Sequence, residues 1–402
     1  MEPPERNHPR RRWVVLGLAW LSFFSIAMSW FVMPTLQPEL LDRYDIDAAA
    51  FRLALTTPFL VGSFLAIPGG ILADRIGLRR STSAGLGVAA IGLLLRSQTA
   101  DLVGLLVAMA AVGVGLGLVM PALPTLVSAW FPPEETGLAT GIYTTGLIGG
   151  VAAGLGLAPY LPPWSGANLG MAAGIALVTV TFYLLVRDAP PGASPPRRPL
   201  LEGIGRALRS RSAWAAAIGV FCGTGGMVAI QGELPVGLEL VHGISTTTGG
   251  QIAAVLTVTG ILGSLTIPAV ATRWSRRRSV LLAVASGFGL IAFPTWLSGN
   301  VPVLFVGSAV AGILAGGALP MLLEVPTWLP RVDDDPVDRA HVGGASGLLI
   351  SAMNLGGFAG LPLIVGPVIE SGGHTVGLAV AMVLFAGQGF VGLAIRFPVA
   401  EK

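Results

Sequence analysis

The sequence predicts an all-α membrane protein in which twelve transmembrane helices form two pseudo-symmetric six-helix bundles. Three observations predict this fold: an apolar composition, twelve apolar runs of spanning length, and a repeat that relates the two halves of the chain. Of the 402 residues, 53% are hydrophobic and only 11% are charged, whereas about 25% is typical of soluble proteins. The chain is therefore predicted to lie in a bilayer.

Twelve apolar runs reach the length that a helix needs to cross a membrane, which is about 20 residues. The first run follows a basic segment, but it is too long for a signal peptide and has no small-residue cleavage pattern, so a retained span is predicted. The predicted spans are residues 13–37, 51–73, 80–98, 102–128, 137–160, 167–187, 213–240, 247–273, 279–298, 302–327, 341–369 and 374–396.

Glycine-rich runs inside these spans predict close helix packing. The runs Gly113-x-Gly115-x-Gly117, Gly149-Gly150 and Gly356-Gly357-x-x-Gly360 lie in the middle of apolar stretches. Small residues let membrane helices approach each other closely. A phosphate-binding loop is the alternative, but such a loop follows a strand and these runs do not.

The distribution of basic residues predicts the orientation of the chain. The net charge of +3 and the pI near 9.5 would suit a nucleic-acid partner, but the arginines cluster in short linkers between spans, so none is predicted. All arginines and the single lysine, except Arg43, Arg52 and Arg96, fall on the side that holds both termini. The positive-inside rule then places both termini in the cytoplasm, in a multi-pass protein of the plasma membrane.

A proline- and arginine-rich linker divides the spans six and six. The predicted organisation is a cytoplasmic tail at 1–12, a first bundle at 13–187, a cytoplasmic loop at 188–212, a second bundle at 213–396 and a tail at 397–402. A shift of 198 residues places Arg79-Arg80-Ser81 on Arg277-Arg278-Ser279, and Trp130 on Trp328. Ordered matches at one offset indicate two parallel repeats.

The segment Gly70-Ile71-Leu72-Ala73-Asp74-Arg75-Ile76-Gly77-Leu78-Arg79-Arg80 joins spans 2 and 3. Asp74 can contact the positive N-terminal end of a helix, such as the start of span 11 near His341, and so latch a cytoplasmic gate. Arg75 and Arg79 can pair with Asp74, with loop carboxylates or with lipid headgroups. The alternative is that the arginines only anchor the topology.

This segment resembles the signature between spans 2 and 3 of major facilitator superfamily transporters, and only Leu78 departs from that pattern. The twelve spans, the cytoplasmic termini and the central basic loop fit the same family. The resemblance implies a secondary transporter whose bundles rock about a central site, with spans 1, 4, 7 and 10 lining the cavity.

A weaker resemblance concerns the branch. The glycines from Gly113 to Gly117, with Trp130-Phe131-Pro132 and Gly149-Gly150, look like the stretch shared by the cyanate/nitroimidazole permease, nitrate/nitrite porter and oxalate:formate antiporter branches. Those branches carry small anions and other small solutes. This chain has Ala66 where nitrate porters place a substrate arginine, and it has no arginine in span 1 like that of the cyanate branch. Nitrate is disfavoured, and a small neutral, weakly polar or amphipathic solute is favoured.

Polar and aromatic residues within the spans are the candidates for substrate contact. Intramembrane polar groups are functional hypotheses by default, although each also suits helix packing. The predicted substrate-binding residues are Gln231, Trp30, Tyr143, Asn354 and Met227.

The predicted coupling and gating residues are Glu233, Asp74, Arg75, Arg79 and Glu324. Glu233 lies 19 residues after Trp214, about 28 Å along a helix, which places it near the outer mouth as a protonatable coupling group or a solvated residue. Glu324 lies near the cytoplasmic end of span 10, where it can pair with arginines. Arg52 is predicted to anchor the outer end of span 2 at the membrane interface, and the alternative is that it binds an anion.

These observations predict a secondary active transporter that works by alternating access as a monomer, with protons as the coupling ion if Glu233 titrates. The alternatives are an efflux pump for hydrophobic or drug-like compounds and a sensor on the same fold that does not transport. No enzyme activity, cofactor or metal is predicted, because the four histidines fall in tails or loops and Cys222 is the only cysteine.

Overall fold

The computed structural model describes residues 11–190, 205–273, 277–332, 335–338 and 342–396, without the side chains of residues 133, 134 and 272. This part of the chain is helical and contains no strand. The twelve long helices are α1 (Arg11–Phe31), α2 (Ala48–Ile76), α3 (Leu78–Gln98), α4 (Leu102–Trp130), α5 (Pro133–Leu157), α6 (Trp164–Leu185), α7 (Arg211–His242), α8 (Thr246–Arg273), α9 (Arg277–Leu297), α10 (Val301–Leu323), α11 (342–372) and α12 (374–390).

The last two helices are continuous by hydrogen bonding, but the chain turns between them. α11 comprises Val342–Ala359, the π-helical segment Gly360–Val365 and the first residues of Gly366–Phe390. Gly373, with φ +81°, then breaks the helix and begins α12 in a new direction. Glycine adopts this left-handed conformation without steric cost.

Ten helical stretches in the described residues are long and apolar enough to cross a membrane. The last of these stretches, Val342–Leu393, contains both α11 and α12. α3 is not among them because Arg79, Arg80 and Arg96 lower its hydropathy, yet its 21 residues match the others in length and it packs between α4 and α6. The twelve predicted spans are thus all present as helices.

The predicted end of the first span is wrong. α1 ends at Phe31, and a 3₁₀ turn at Pro34–Leu36 leads into the short helix Gln37–Tyr44. Pro34 lacks the backbone N–H that would continue the helical bonding to the carbonyl oxygen of Trp30, and Met33 donates to that oxygen instead in a tighter turn. The last span also ends early, at Phe390 rather than at residue 396, and the other predicted boundaries agree with the structure to within four residues.

The two bundles repeat the same packing. In the first bundle α1 packs on α5, α2 on α4, and α3 on α4 and α6. In the second bundle α7 packs on α11, α8 on α10, and α9 on α10 and α12. Helices six positions apart in the chain therefore have equivalent neighbours, which is the pseudo-symmetry that the 198-residue repeat predicts.

The molecule has two distinct ends. We call the end that carries Arg12, Arg79, Arg187, Arg277 and Arg396 the basic face, and the other end the opposite face. The bundles meet where α2 packs on α11 and α5 packs on α8, and where the Pro34–Leu36 turn touches α7 and α8 at the opposite face.

Glycines allow two helices of the second bundle to touch backbone to backbone. A Cβ atom at Gly225 of α7 would lie 2.8 Å from the carbonyl oxygen of Gly356 on α11, and one at Gly360 would overlap the backbone of Gly225. The same holds for Gly115 against Gly85 and for Gly150 against the carbonyl of Phe24. The prediction that the glycine runs are packing faces is confirmed.

Candidate functional site

A buried ion pair joins the two bundles near the opposite face. Arg52 lies in the second turn of α2, and its Nε donates to Oε1 of Glu233 on α7 across 2.7 Å. The side chain of Arg52 is 2% exposed and that of Glu233 is not exposed at all. A charge removed from water in this way is strongly destabilising unless a partner is present.

Two more titratable groups of the second bundle complete this site. Nη1 of Arg52 donates to Oε1 of Glu370 on α11 across 3.0 Å, and Glu370 is 57% exposed. Nδ1 of His374, at the start of α12, lies 3.6 Å from Oε2 of Glu233, which has no hydrogen-bond partner among the described residues. We call Arg52, Glu233, Glu370 and His374 the Arg52 cluster.

An apolar layer lies directly beneath the Arg52 cluster. Leu55 of α2 and Leu361 of α11 both approach Gly232 of α7, next to Glu233 in sequence. Trp30 of α1 donates its Nε1 proton to the carbonyl oxygen of Leu55 across 2.7 Å, and its ring centroid lies 4.5 Å from that of Phe59. This layer excludes water and so strengthens the ion pair above it.

The arrangement has a specific chemical capacity. It sets one permanently charged guanidinium between two carboxylates that belong to the other bundle, with an imidazole at the edge. Removal of either charge of the closest pair, Arg52 and Glu233, would leave the other charge buried without that partner. The contact between the bundles therefore depends on both charges.

The five predicted substrate residues do not form one cluster. Gln231 donates to the hydroxyl of Thr257 on α8 across 3.0 Å, and Trp30 donates to the backbone carbonyl of Leu55. Tyr143 is buried beside Phe23, and Met227 packs against the core of the molecule. Within the described residues we find no hydrogen bond or ring contact that joins two of the five.

Asn354 is the member of that set with an unused polar atom. It is buried on α11, its Oδ1 has no partner among the described residues, and it faces Gly62 of α2. A buried amide oxygen without a partner costs free energy unless water or a ligand binds it. The position suits a substrate contact or a polar contact between bundles.

Among the described residues, no hydrogen bond, ion pair or ring contact joins the predicted gating residues Asp74, Arg75 and Arg79 to the other bundle. Asp74 and Arg75 are exposed at the end of α2, and the guanidinium of Arg79 stacks over the ring of Tyr183 at 4.7 Å within the first bundle. The predicted partner of Asp74 near His341 lies outside the described residues. The gating roles of these three residues remain predictions.

Asp188, which the sequence does not single out, holds the α2–α3 turn instead. Its Oδ1 accepts a hydrogen bond from the backbone N–H of Arg79 across 2.6 Å, at the positive N-terminal end of α3. Gly77 in this turn has φ +95°, and a Cβ atom there would lie 2.5 Å from Oδ2 of Asp188. Glycine is therefore required both by the backbone and by this carboxylate.

Glu324 follows the last residue of α10 at the basic face. Partial desolvation raises the pKa of Glu324, and the positive charge of Arg277 nearby opposes that rise. Arg277 itself stacks over the ring of Trp328 at 4.3 Å. These contacts lie within the second bundle, and among the described residues none links Glu324 to the first bundle.

Sequence reasoning missed most of the Arg52 cluster. The sequence predicts only a membrane-interface anchor at Arg52, and it does not mark Glu370 or His374 as functional residues. The signal in the sequence is their position along the spans. Arg52, Glu370 and His374 each lie at the opposite-face end of a span, at the same depth in the membrane as Glu233. Among the described residues, no group of three or more His, Cys, Asp or Glu side chains is placed to hold a metal ion.

Comparison with known proteins identifies relatives along almost the whole chain. The family model of the Major Facilitator Superfamily matches residues 18–360. The chain is 28% identical over 406 residues to the probable nitrate/nitrite transporter NarK2 of Mycobacterium tuberculosis, covering 95% of this chain and 96% of that protein. It is 28% identical over 293 residues to the cyanate transport protein CynX of Escherichia coli, covering 72% and 74%.

A solved structure shares the fold. The crystal structure of a bacterial homologue of the human lysosomal transporter Spinster, in an inward-facing and unoccupied conformation, superposes with a TM-score of 0.78. The superposition covers 96% of this chain and 97% of the other at 18% identity.

Proposed function

Because this chain belongs to the Major Facilitator Superfamily and is a secondary transporter of a small solute, we propose that the Arg52 cluster is its gate at the opposite face. In this proposal the ion pair between Arg52 and Glu233 closes that face, and its separation opens the path to the solute site. The observation that carries the proposal is a buried ion pair shared between the two bundles. Bundles that rock against each other must break such a contact once per cycle.

Protons are the proposed coupling ion. A proton on Glu233 neutralises the group that holds Arg52 and lowers the cost of separating the bundles. Glu233 alternates between the ion-paired form in the closed state and the protonated form in the open state. The free Oε2 of Glu233 and the nearby His374 ring give the proton a route to the buried carboxyl.

The proposed topology places the basic face in the cytoplasm. Arginine and lysine concentrate on the cytoplasmic side of membrane proteins, and this face carries nearly all of those in the chain. Both termini then lie in the cytoplasm of a cell whose plasma membrane holds the protein as a monomer. The Arg52 cluster faces outward, and the chain acts as a carrier rather than as an enzyme.

The proposed solute is small. NarK2 and CynX, which this chain resembles, are named for nitrate, nitrite and cyanate. Ala66 and the absence of an arginine between Trp13 and Gln37 favour a less strongly held solute at the central site. Thermal-shift measurements of the purified protein with these three anions, small organic acids and organic cations test this choice, and a shift with one class alone identifies the solute class.

Efflux of hydrophobic compounds is the second candidate. The apolar layer of Trp30, Leu55, Phe59 and Leu361 offers such compounds a surface that small anions do not need. Micromolar binding of several unrelated hydrophobic dyes to the purified protein, without a shift by small solutes, would favour this function.

The decisive test is the variant Glu233→Gln, which keeps the shape of the side chain and removes its titration. Proteoliposomes that contain a pH-sensitive dye report the proton flux that follows addition of the identified solute. The variant is expected to lose solute-driven proton flux, because its residue 233 no longer exchanges a proton. Glu239→Gln, an exposed carboxylate on the same helix, is the matched control and is expected to retain it. Normal proton flux in Glu233→Gln would exclude Glu233 as the coupling residue.

A further inference from the structure

Arg96 of α3 is fully buried inside the first bundle, although the sequence places it among the few basic residues near the opposite face. Within the described part of the chain no carboxylate lies within ion-pair distance of its guanidinium. A buried intramembrane charge is costly and therefore points to a function. Its contacts show what that function is.

The side chain of Arg96 binds the end of α1. Its Nη2 donates to the carbonyl oxygen of Ser29 across 2.6 Å. Ser29 lies in the last turn of α1, where backbone carbonyls lose their helical partners, and Met33 directs its N–H to Trp30 instead. The negative end of the α1 dipole thus acts as the counter-charge for the guanidinium.

The remaining contacts fix the orientation of the guanidinium. Nε donates to Oδ1 of Asn168 on α6 across 2.6 Å, and Nη1 approaches the sulfur of Met109 on α4 at 3.5 Å. The guanidinium also lies over the ring of Trp164, 4.8 Å from its centroid. Arg96 is therefore held by α4 and α6 while it reaches toward α1.

The backbone of Arg96 binds the other end of the segment that follows α1. Tyr44, the last residue of the short helix, donates its hydroxyl proton to the carbonyl oxygen of Arg96 across 3.2 Å. The same hydroxyl accepts a hydrogen bond from Nε1 of Trp164 across 2.9 Å. One residue thus holds the chain both before and after the Pro34–Leu36 turn.

That turn belongs to the closure of the opposite face. It packs against α7 and α8 of the second bundle, and the hydroxyl of Thr35 lies against Gly250 of α8. Trp30, next to the Ser29 carbonyl, donates to Leu55, which lies one turn after Arg52 on α2. The end of α1 at Ser29 therefore connects to both elements: the Pro34–Leu36 turn follows it in the chain, and Trp30 binds the helix that carries Arg52.

We propose that Arg96 is a positioning residue for the closure of the opposite face, because it sets both sides of the Pro34–Leu36 turn and the end of α1 that contacts α2. The inference rests on the proposed function only in taking this closure as one state of the transport cycle. In this role Arg96 neither binds the solute nor transfers the coupling proton.

The test measures closure directly and needs no solute. Leu55, which is buried in the apolar layer, is replaced by cysteine in a Cys222→Ser background, and its labelling by a membrane-impermeant maleimide is timed in proteoliposomes. Arg96→Met is expected to raise the labelling rate by about tenfold or more, since loss of charge-assisted hydrogen bonds shifts a two-state equilibrium by that order. Gln98→Met, which removes an exposed amide bonded to Ser97 at the same end of α3, is expected to leave the rate unchanged.

Two further variants keep the test decisive if Arg96→Met does not fold. Arg96→Lys keeps the charge but cannot reach all three partners, and Tyr44→Phe removes only the hydroxyl that binds the Arg96 carbonyl. Both are expected to raise the labelling rate. Unchanged labelling in every folded variant at Arg96 and Tyr44 would overturn the inference, whatever the thermal stability of those variants.

The variant Arg52→Met separates this inference from the proposed gate. If Arg52→Met raises the labelling of Leu55→Cys and the Arg96 variants do not, the gate stands and the positioning role fails. If only the Arg96 and Tyr44 variants raise it, the positioning role stands and the Arg52 cluster is not the gate.

Discussion

The two ends of α2 are held in different ways. Near its start Arg52 reaches into the other bundle, where it is buried against Glu233 and bonded to Glu370. At its end Asp74 and Arg75 are exposed, and the turn that follows is held by Asp188 from the same bundle. Within the described parts of the chain, this helix therefore bonds to the other bundle at the opposite face and only to its own bundle at the basic face.

The difference shows which parts of the structure must change when the bundles move. Among the described residues, the hydrogen bonds between bundles lie in the half near the opposite face, including that from Gln251 to the hydroxyl of Tyr160. Motion that opens this face must break them. The α2–α3 turn can move with its bundle unchanged, because Asp188 and Tyr183 move with it.

The largest expected effect comes from breaking the contact at the start of α2. Arg52→Met leaves the buried carboxylate of Glu233 without its guanidinium, and loss of one partner of a buried pair costs about 3–5 kcal/mol. We expect a clear fall in the thermal unfolding midpoint of the purified protein.

The double variant Arg52→Met/Glu233→Met is the control for this prediction. It removes both charges, and an apolar replacement of a buried pair is often neutral. It is expected to recover most of the lost stability. A double variant no more stable than Arg52→Met would show that the ion pair itself is not the source of the effect.

A smaller effect is expected at the other end of α2. Asp188→Asn weakens a charge-assisted contact with the N-terminal end of α3, which is worth about 1 kcal/mol. Asp74→Asn is the matched variant, and because Asp74 is exposed we expect its stability to change by less than about 0.5 kcal/mol.

Transport measurements distinguish Asp74 from Asp188 further. If Asp74 latches the basic face in another state, as the sequence predicts, Asp74→Asn lowers transport while its stability is unchanged. Loss of stability in Asp74→Asn together with none in Asp188→Asn would mean that Asp74, and not Asp188, holds this end of α2.

The smallest expected effect concerns Glu324 at the basic face. Its raised pKa means that its contribution to stability is present below the ordinary value of 4.5 and is lost as the pH rises through the higher value in the folded protein. Glu324→Gln is neutral at every pH and lacks this dependence. Unfolding midpoints measured from pH 4 upward are expected to fall slightly more for the parent protein than for the variant, and parallel curves would contradict the prediction.

The helices were predictable because each depends on a local run of apolar residues. The first helix ends before the Pro34–Leu36 turn, earlier than its apolar run predicts. The helix α3 was predicted correctly although Arg79, Arg80 and Arg96 interrupt its apolar character. The packing roles of the glycine runs also followed from sequence, because backbone contact requires residues without side chains.

The candidate site was less predictable because its members come from distant parts of the chain. Glu233 was chosen for its depth in α7, but its partner Arg52 is 181 residues away, and no local pattern connects them. Arg96 was counted as a basic residue of the outer side, since its carbonyl partner on Ser29 exists only where α1 ends. No local sequence pattern predicts the role of Asp188, because that role depends on how the end of α6 meets the α2–α3 turn.

The backbone contact between α7 and α11 has a kinetic consequence for the Arg52 cluster. Gly225 touches Gly356 and Gly360 with no side chain between the two helices, so these helices have little freedom to slide past each other. Glu233 on α7 and Glu370 on α11 therefore change position together. In the proposed gate Arg52 therefore leaves both carboxylates in one event, and the release of the contact is expected to follow a single exponential rather than two successive phases.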